Sequence, residues 1–205
     1  MINLKNTNVV LTGATGGIGN SILEKLVNAE ANVVATGTND EKLSKIKNKH
    51  QSVKVEKFDI SEHKEIENFI NKVSDKLENK IDILINNAGI NKLSSIDKIE
   101  KNFLEEIYKV NLKGPILLTN QISKKMIKRK FGRIINISSI FGVVSKSGRS
   151  LYSTTKFGLI GLTKSSALDL AKYNILVNSV SPGVIKTKLT KSILSPKQLS
   201  EIRQD

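Results

Sequence analysis

The chain has 205 residues, 39% of them hydrophobic, enough for one well-filled core and short for two, so a single unit over 1–205 is expected. It has no cysteine, which excludes disulfides and thiolate metal sites, and no apolar run near the ~20 residues that cross a bilayer, so a cytoplasmic protein without a membrane partner is expected. The net charge of +14 is spread through nearly every predicted helix, aromatic residues are only 4%, and no nucleic-acid motif occurs, so DNA and RNA are not expected as partners.

The first predicted strand, 7–12, runs into LTGATGGIGN, where Gly13, Gly16, Gly17 and Gly19 stand between an apolar run and a helix predicted over 17–29. The N–H groups at a helix N-terminus, with the aligned peptide dipoles behind them, attract a phosphate where no Cβ blocks its approach. Gly13 then serves the turn, Gly17 a close backbone approach and Gly19 helix packing, which is the arrangement of a dinucleotide site. A P-loop is excluded, because no Gly-Lys-Ser/Thr closes the turn. The second strand, 32–38, ends at Gly37 and Thr38, followed by Asn39, without the carboxylate that would bond a free ribose 2′-OH. That absence, with Thr38 and Asn39 as donors, favours NADP(H) over NAD(H). Asn39 also reads as the N-cap of a helix over 40–50, and Ser61 as that of one over 62–78.

The third strand, 53–59, ends at Asp59, which either accepts from an adenine amino group or holds a nearby backbone group. The fourth, 81–87, enters NNAG (86–89), so both ends fall at the carboxyl edge where open α/β sheets bind ligands. The stretch 100–130 contains Asn111 and reads as two helices meeting at NLKGP, where Gly114 and Pro115 disfavour continuity. KKMIKRKFGR (124–133) carries six basic residues and suits either an acidic partner or a solvated helix end. The fifth strand, 132–138, delivers Ser138 and Ser139. A helix over 151–173 opens with Tyr152 and Lys156, four apart and on one face. The sixth strand, 175–181, leads into SPG (181–183). His50 and His63 have no partner at metal-ligand spacing, so no metal is expected. The strand and helix alternation predicts a doubly wound, Rossmann-type parallel sheet in three α/β/α layers.

Thr12-Gly13-x-x-x-Gly17-x-Gly19, NNAG, Asn111, Ser139, Tyr152, Lys156 and SPG together resemble the short-chain dehydrogenase/reductase family, over residues 5 to about 190. The thirteen-residue interval from Ser139 to Tyr152 separates the chain from longer sugar-nucleotide epimerases of similar glycine spacing. The resemblance implies reduction of a ketone, with Tyr152 as general acid, Ser139 on the substrate oxygen (Ser138 being the alternative), Lys156 on the nicotinamide ribose and Asn111 holding a relay water. A lysine charge close to Tyr152 is expected to pull the phenol below its usual value of about 10. The implied cofactor contacts are Thr12, Gly13, Thr15, Gly17, Ile18 and Gly19 in the turn, Thr38 and Asp59 at two strand ends, and Asn87, Ala88 and Gly89 after the fourth. Tyr152, Lys156, Pro182, Gly183 and Thr187 complete the set.

Within the family, GRIINISS and the stretch 155–187 look most like bacterial 3-oxoacyl-(acyl-carrier-protein) reductases, which implies a carbonyl substrate that is small or linked to an acyl carrier; a sugar or alcohol reductase, or a truncated cofactor-binding module with little turnover, are the alternatives. The loop 140–150, IFGVVSKSGRS, departs from the usual reductase version. Family members usually continue into a substrate-covering segment, a further helix and a seventh strand that helps form a homo-oligomer. Here 186–205 is expected to start that cover, with Ser195 as N-cap and Pro196 in the first turn, the later helix and strand being absent and the sixth strand left as an edge.

Overall fold

All six predicted strands form in the computed structural model, which describes residues 3–194: β1 (Asn8–Leu11), β2 (Asn32–Gly37), β3 (Lys54–Lys57), β4 (Ile83–Asn86), β5 (Gly132–Ile137) and β6 (Ile175–Val180). They make one parallel sheet in the order β3-β2-β1-β4-β5-β6, with Val10 opposite both Val34 and Leu84. The helices are α1 (Gly17–Asn28), α2 (Asp40–Lys49), α3 (Ile66–Lys76), α4 (Lys101–Tyr108), α5 (Gly114–Arg129), α6 (Ser150–Leu170) and α7 (Lys188–Ile193). The chain winds outward from β1 to β3, then returns to β4 on the other side of β1. This reversal parts the connections leaving β1 and β4 and opens a crevice at their carboxyl ends.

The two-residue period of the strands divides the core. Val10 and Val34 point to one face, against Phe69, Ile70 and Val73 of α3 and Leu118, Ile122 and Met126 of α5. Val9, Leu11, Val33 and Ala35 point to the other, against Leu23 and Leu26 of α1 and Ile46 of α2. Each such large side chain, fully buried, contributes about 1.5–3 kcal/mol. The second face thins toward β6, whose Leu176 and Val180 remain 49% and 50% exposed.

Three local expectations change. Residues 101–129 form one helical path, because a π turn at Lys109–Lys113 joins α4 to α5 and absorbs the irregular bonding that Pro115, without an N–H, would otherwise force. Gly114 is required there: a Cβ would lie 2.9 Å from both Cδ1 and the carbonyl oxygen of Ile60. Ser61 does not cap α3, since its N–H and hydroxyl both donate to Asp59 Oδ1 (2.9 and 2.7 Å), and a 3-10 turn at His63–Glu65 precedes the helix. The short helix α7 was not anticipated, although Thr187 is an ordinary N-cap, accepting from the Thr190 N–H at 3.2 Å. The roles expected of Ser195 and Pro196 lie outside the described residues. Among those described, no helix is long and apolar enough to cross a membrane.

Candidate active site

The glycine turn is held to the neighbouring strand by two side chains. Thr12 Oγ1 accepts from the N–H groups of Asn87 (2.9 Å) and Ala88 (3.1 Å), while Asn87 Nδ2 donates to the carbonyls of Thr12 (2.9 Å) and Gly13 (3.1 Å). The ends of β1 and β4 are thereby stapled, and the turn between them has little freedom. Gly13 has φ +64°, the left-handed region that favours glycine, and a Cβ there would stand 2.8 Å from Ala88 Cα. A Cβ on Gly17 would come within 2.7 Å of Thr187 Cγ2; one on Gly19 would fall on the Gly13 carbonyl oxygen and 2.9 Å from Ala14 Cα. Gly16, at the N-cap of α1, has no side chain to satisfy the first N–H groups, and no acidic residue lies in the first turn. These groups open into a cleft of about 450 Å³, so the cradle fits a dinucleotide phosphate.

The same cleft gathers Thr15, Ile18, Thr38, Asp59, Asn87, Ala88, Gly89, Tyr152, Lys156 and Thr187. Pro182 and Gly183 instead line an adjoining pocket of about 100 Å³, together with Ser139. At the far rim, Asn39 Oδ1 caps α2 by accepting from the Lys42 N–H (2.8 Å), so the second expectation for Asn39, a bond to the cofactor, falls to its amide nitrogen alone. Asp40 is paired with Lys57, which neighbours Gly37 in register. Lys57, from β3, thus spends its ammonium on Asp40 and does not line the cleft. Asp59 uses one carboxylate oxygen in its turn with Ser61 and keeps the other, so it satisfies the local reading while still facing the cleft.

The reacting end is built by α6. Its first turns carry Tyr152 and Lys156, with the Lys156 ammonium 5.6 Å from the Tyr152 ring centre. Lys156 is 4% exposed, donates to the Ile137 carbonyl at 2.8 Å, and is pushed down to about 8 by burial. Tyr152 moves opposite to expectation: burial raises the phenol above its usual value, against the smaller pull of the Ser139 hydroxyl and the Arg149 charge. The reason is desolvation, which outweighs the cations near the ring.

The two serines separate clearly. Ser138 Oγ donates to the Lys156 carbonyl (3.0 Å) and is spent there. Ser139 Oγ accepts from the Phe141 N–H (3.2 Å), which leaves its own hydrogen to donate into the pocket. Asn111 lies in the π turn with its side chain committed: Oδ1 accepts from the Ile90 N–H (2.8 Å), and Nδ2 donates to the Ile90 carbonyl (2.9 Å) and Thr155 Oγ1 (3.3 Å). The water expected on Asn111 therefore has no free N–H of this amide to bind. What the side chain holds directly is the segment after β4. Thr187 is likewise engaged as the cap of α7 while lining both cavities.

The basic stretch 124–133 lies where α5 returns to the start of β5, at the opposite edge of the sheet from the cleft. Arg129 is bound to Asp82 (2.8 Å) and Arg133 to the Asn174 carbonyl (3.1 Å), leaving Lys124, Lys128 and Lys130 exposed.

A family model described as short chain dehydrogenase matches residues 7–198. The 3-oxoacyl-[acyl-carrier-protein] reductase FabG of Aquifex aeolicus is 42% identical, covering 99% of this chain and 82% of the relative; that of Rickettsia conorii is 37% identical, covering 100% and 83%. Among solved structures, a short-chain dehydrogenase from Streptomyces avermitilis superposes with TM-score 0.86 at 27% identity, covering 97% of this chain and 76% of that one. ElxO with NADP bound superposes with TM-score 0.84 at 28% identity, covering 97% and 78%.

Proposed function

The chain belongs to the short-chain dehydrogenase family of nicotinamide-dependent oxidoreductases, and on that premise we propose that it is a cytoplasmic enzyme that reduces the ketone of a 3-oxoacyl thioester to a secondary alcohol with NADPH. One observation carries the reading: Tyr152 lines both the dinucleotide cleft and the adjoining pocket, and so stands where cofactor and substrate would meet.

Bound NADPH would supply the hydride to the carbonyl carbon. Tyr152 supplies the proton to the carbonyl oxygen, and a phenol raised by burial is still protonated at neutral pH, as an acid must be. The free hydrogen of Ser139 donates to the same oxygen and stabilises the negative charge developing on it. Lys156, pushed down to about 8, carries a proton it can release near neutrality, which suits resupply of the tyrosine as well as a bond to the ribose. Asn111 acts as a positioning residue through Ile90.

The substrate reading rests on the FabG relatives and on the pocket rim. Val184, Ile185 and Leu189 present apolar surface beside the pocket, which suits an acyl chain. Lys186, Lys188 and Lys191 are exposed on and beside α7 and give that rim a positive charge suited to an acidic carrier. NADPH over NADH is supported by Thr38 in the cleft, where β2 ends without a carboxylate.

Titration with NADPH and NADH, followed by nicotinamide fluorescence, tests the cofactor; oxidation of NADPH with an acetoacetyl thioester tests the reaction. NADPH is expected to bind roughly fivefold tighter, about 1 kcal/mol, the scale of one added hydrogen bond to the 2′-phosphate. Equal affinities would remove the NADPH preference, and absence of thioester turnover would overturn the reductase reading.

A further inference from the structure

The small pocket contains a charge that the thioester chemistry does not use. Arg149 is 7% exposed, lines this pocket with Ser139 and Tyr152, and among the described residues has no side-chain hydrogen bond or ion pair. Buried charges in folded proteins are nearly always paired, because leaving water costs several kcal/mol that only a partner repays. Its guanidinium nitrogens are not sealed off: they reach the open space of this pocket and can meet a ligand there.

The position is built rather than incidental. Arg149 is the N-cap residue of α6, and its carbonyl accepts the Ser153 N–H at 2.7 Å. Its backbone pairs with Ser94 in an isolated parallel bridge, beside a bond from the Ser94 N–H to the Gly148 carbonyl (3.1 Å). The guanidinium lies over the Phe141 ring, 4.8 Å from its centre, an arrangement that holds its plane while leaving edge N–H groups able to bond. Asn91 lines the same pocket and has a buried Oδ1 with no hydrogen-bond partner among the described residues. Burial also lowers the Arg149 guanidinium below its ordinary value, as expected of a cation without its counter-charge.

We infer that Arg149, with Asn91, is a carboxylate site, and that this pocket accepts short free oxo acids, holding the carboxylate on the guanidinium while the ketone oxygen lies on Tyr152 and Ser139. Arg149 stands three residues before Tyr152, one helical turn away, so the two ends of one small molecule can reach both groups. The pocket's volume of about 100 Å³ favours such a compact substrate. The inference rests on the reductase reading for its chemistry and extends it to a second substrate class. The ketone carbon gains the hydride of the reduced nicotinamide and the ketone oxygen gains the Tyr152 proton. A hydroxy acid and the oxidised nicotinamide result, with the carboxylate unchanged.

The test compares 3-oxobutanoate with 3-oxobutanamide, a neutral molecule of nearly the same shape, in the wild type, Arg149→Gln and Arg149→Lys, with NADPH. The wild type is expected to prefer the acid in kcat/KM. Arg149→Gln should cut the acid-to-amide ratio by roughly 100-fold, mostly through KM, as loss of a charged hydrogen-bond pair does. Arg149→Lys should restore part of that ratio. Thermal unfolding of the variants controls for a structural effect, which would lower both substrates together and leave the ratio unmoved. An unmoved ratio, or reduction of the amide but not the acid by wild type, overturns the inference. If neither these ketones nor the thioester is reduced, the reductase reading falls, and calorimetric binding of 3-oxobutanoate to the protein with NADP+ still decides the site: binding lost in Arg149→Gln supports it, no binding in wild type overturns it.

Discussion

Around the ends of β1 and β4 the cleft is shaped by side chains that are missing, whereas beside α6 it is shaped by charges that are buried. In the first region Gly13, Gly17 and Gly19 each exclude a Cβ that would meet the chain within 3 Å, and the threonine and asparagine staple makes the resulting space rigid. In the second, Lys156 and Arg149 are both withdrawn from water, and Tyr152 between them is raised rather than lowered. The two halves therefore fail in different ways. The cofactor half has steric tolerances and should break on adding atoms; the substrate half has electrostatic ones and should respond to removing charge or donors, often with a gain in stability.

The largest effect is expected from Gly19→Ala. The new methyl overlaps the Gly13 carbonyl region and stands 2.9 Å from Ala14 Cα, so the turn must move. A loss of about 3 kcal/mol in stability is expected, with NADPH affinity down at least roughly 100-fold, read by urea unfolding and by fluorescence titration. An affinity near that of wild type would show that the cradle is not steric.

Next in size is Ser139→Ala, which leaves the cradle intact. Removing the donor to the ketone oxygen should lower kcat by about 100-fold while changing NADPH affinity by no more than about twofold. A matching loss in cofactor affinity would erase the distinction between the two halves.

Lys156→Met reports the cost of a buried cation. Its ammonium titrates at about 8 in the fold against about 10.4 in the unfolded chain, so between pH 8 and 10 the unfolded state binds more protons. Lys156 therefore makes stability rise with pH across that window, and below pH 8 the wild type carries the full cost, on the order of 3 kcal/mol. The variant is expected to lose that rise and to melt higher at pH 7 while losing turnover, measured as Tm from pH 6 to 10. An unchanged pH slope would mean that the ammonium is solvated.

Gly161→Ala is the smallest. A Cβ at this exposed position of α6 meets nothing within 4 Å, so a gain of about 0.5–1 kcal/mol from helix propensity is expected, with NADPH affinity unchanged.

The two halves also differed in how far the sequence revealed them. Alternating partners such as Val9, Val10 and Leu11 carry the sheet in their period, and the glycine turn carries its ligand geometry locally, so both were legible. Tyr152 and Lys156 were legible as a pair on one helical face, but not the burial that sets their protons, because that depends on how the fold packs them against Ile137, Ser139 and Arg149. Asn111 was found through the family resemblance, yet its attachment to Ile90 depends on a π turn that no residue pattern announced. The loop holding Arg149 stood out only as a departure; its pairing with Ser94 and its place over Phe141 are tertiary facts.

One phenol at the meeting of the two cavities is expected to deliver the proton. The deciding experiment is single-turnover oxidation of NADPH with an acetoacetyl thioester in wild type and Tyr152→Phe, alongside NADPH titration of both proteins. The predicted result is a rate at least roughly 1,000-fold lower in the variant with cofactor affinity retained, within the range general acids contribute. A variant that binds NADPH and reduces the thioester at the wild-type rate would contradict it.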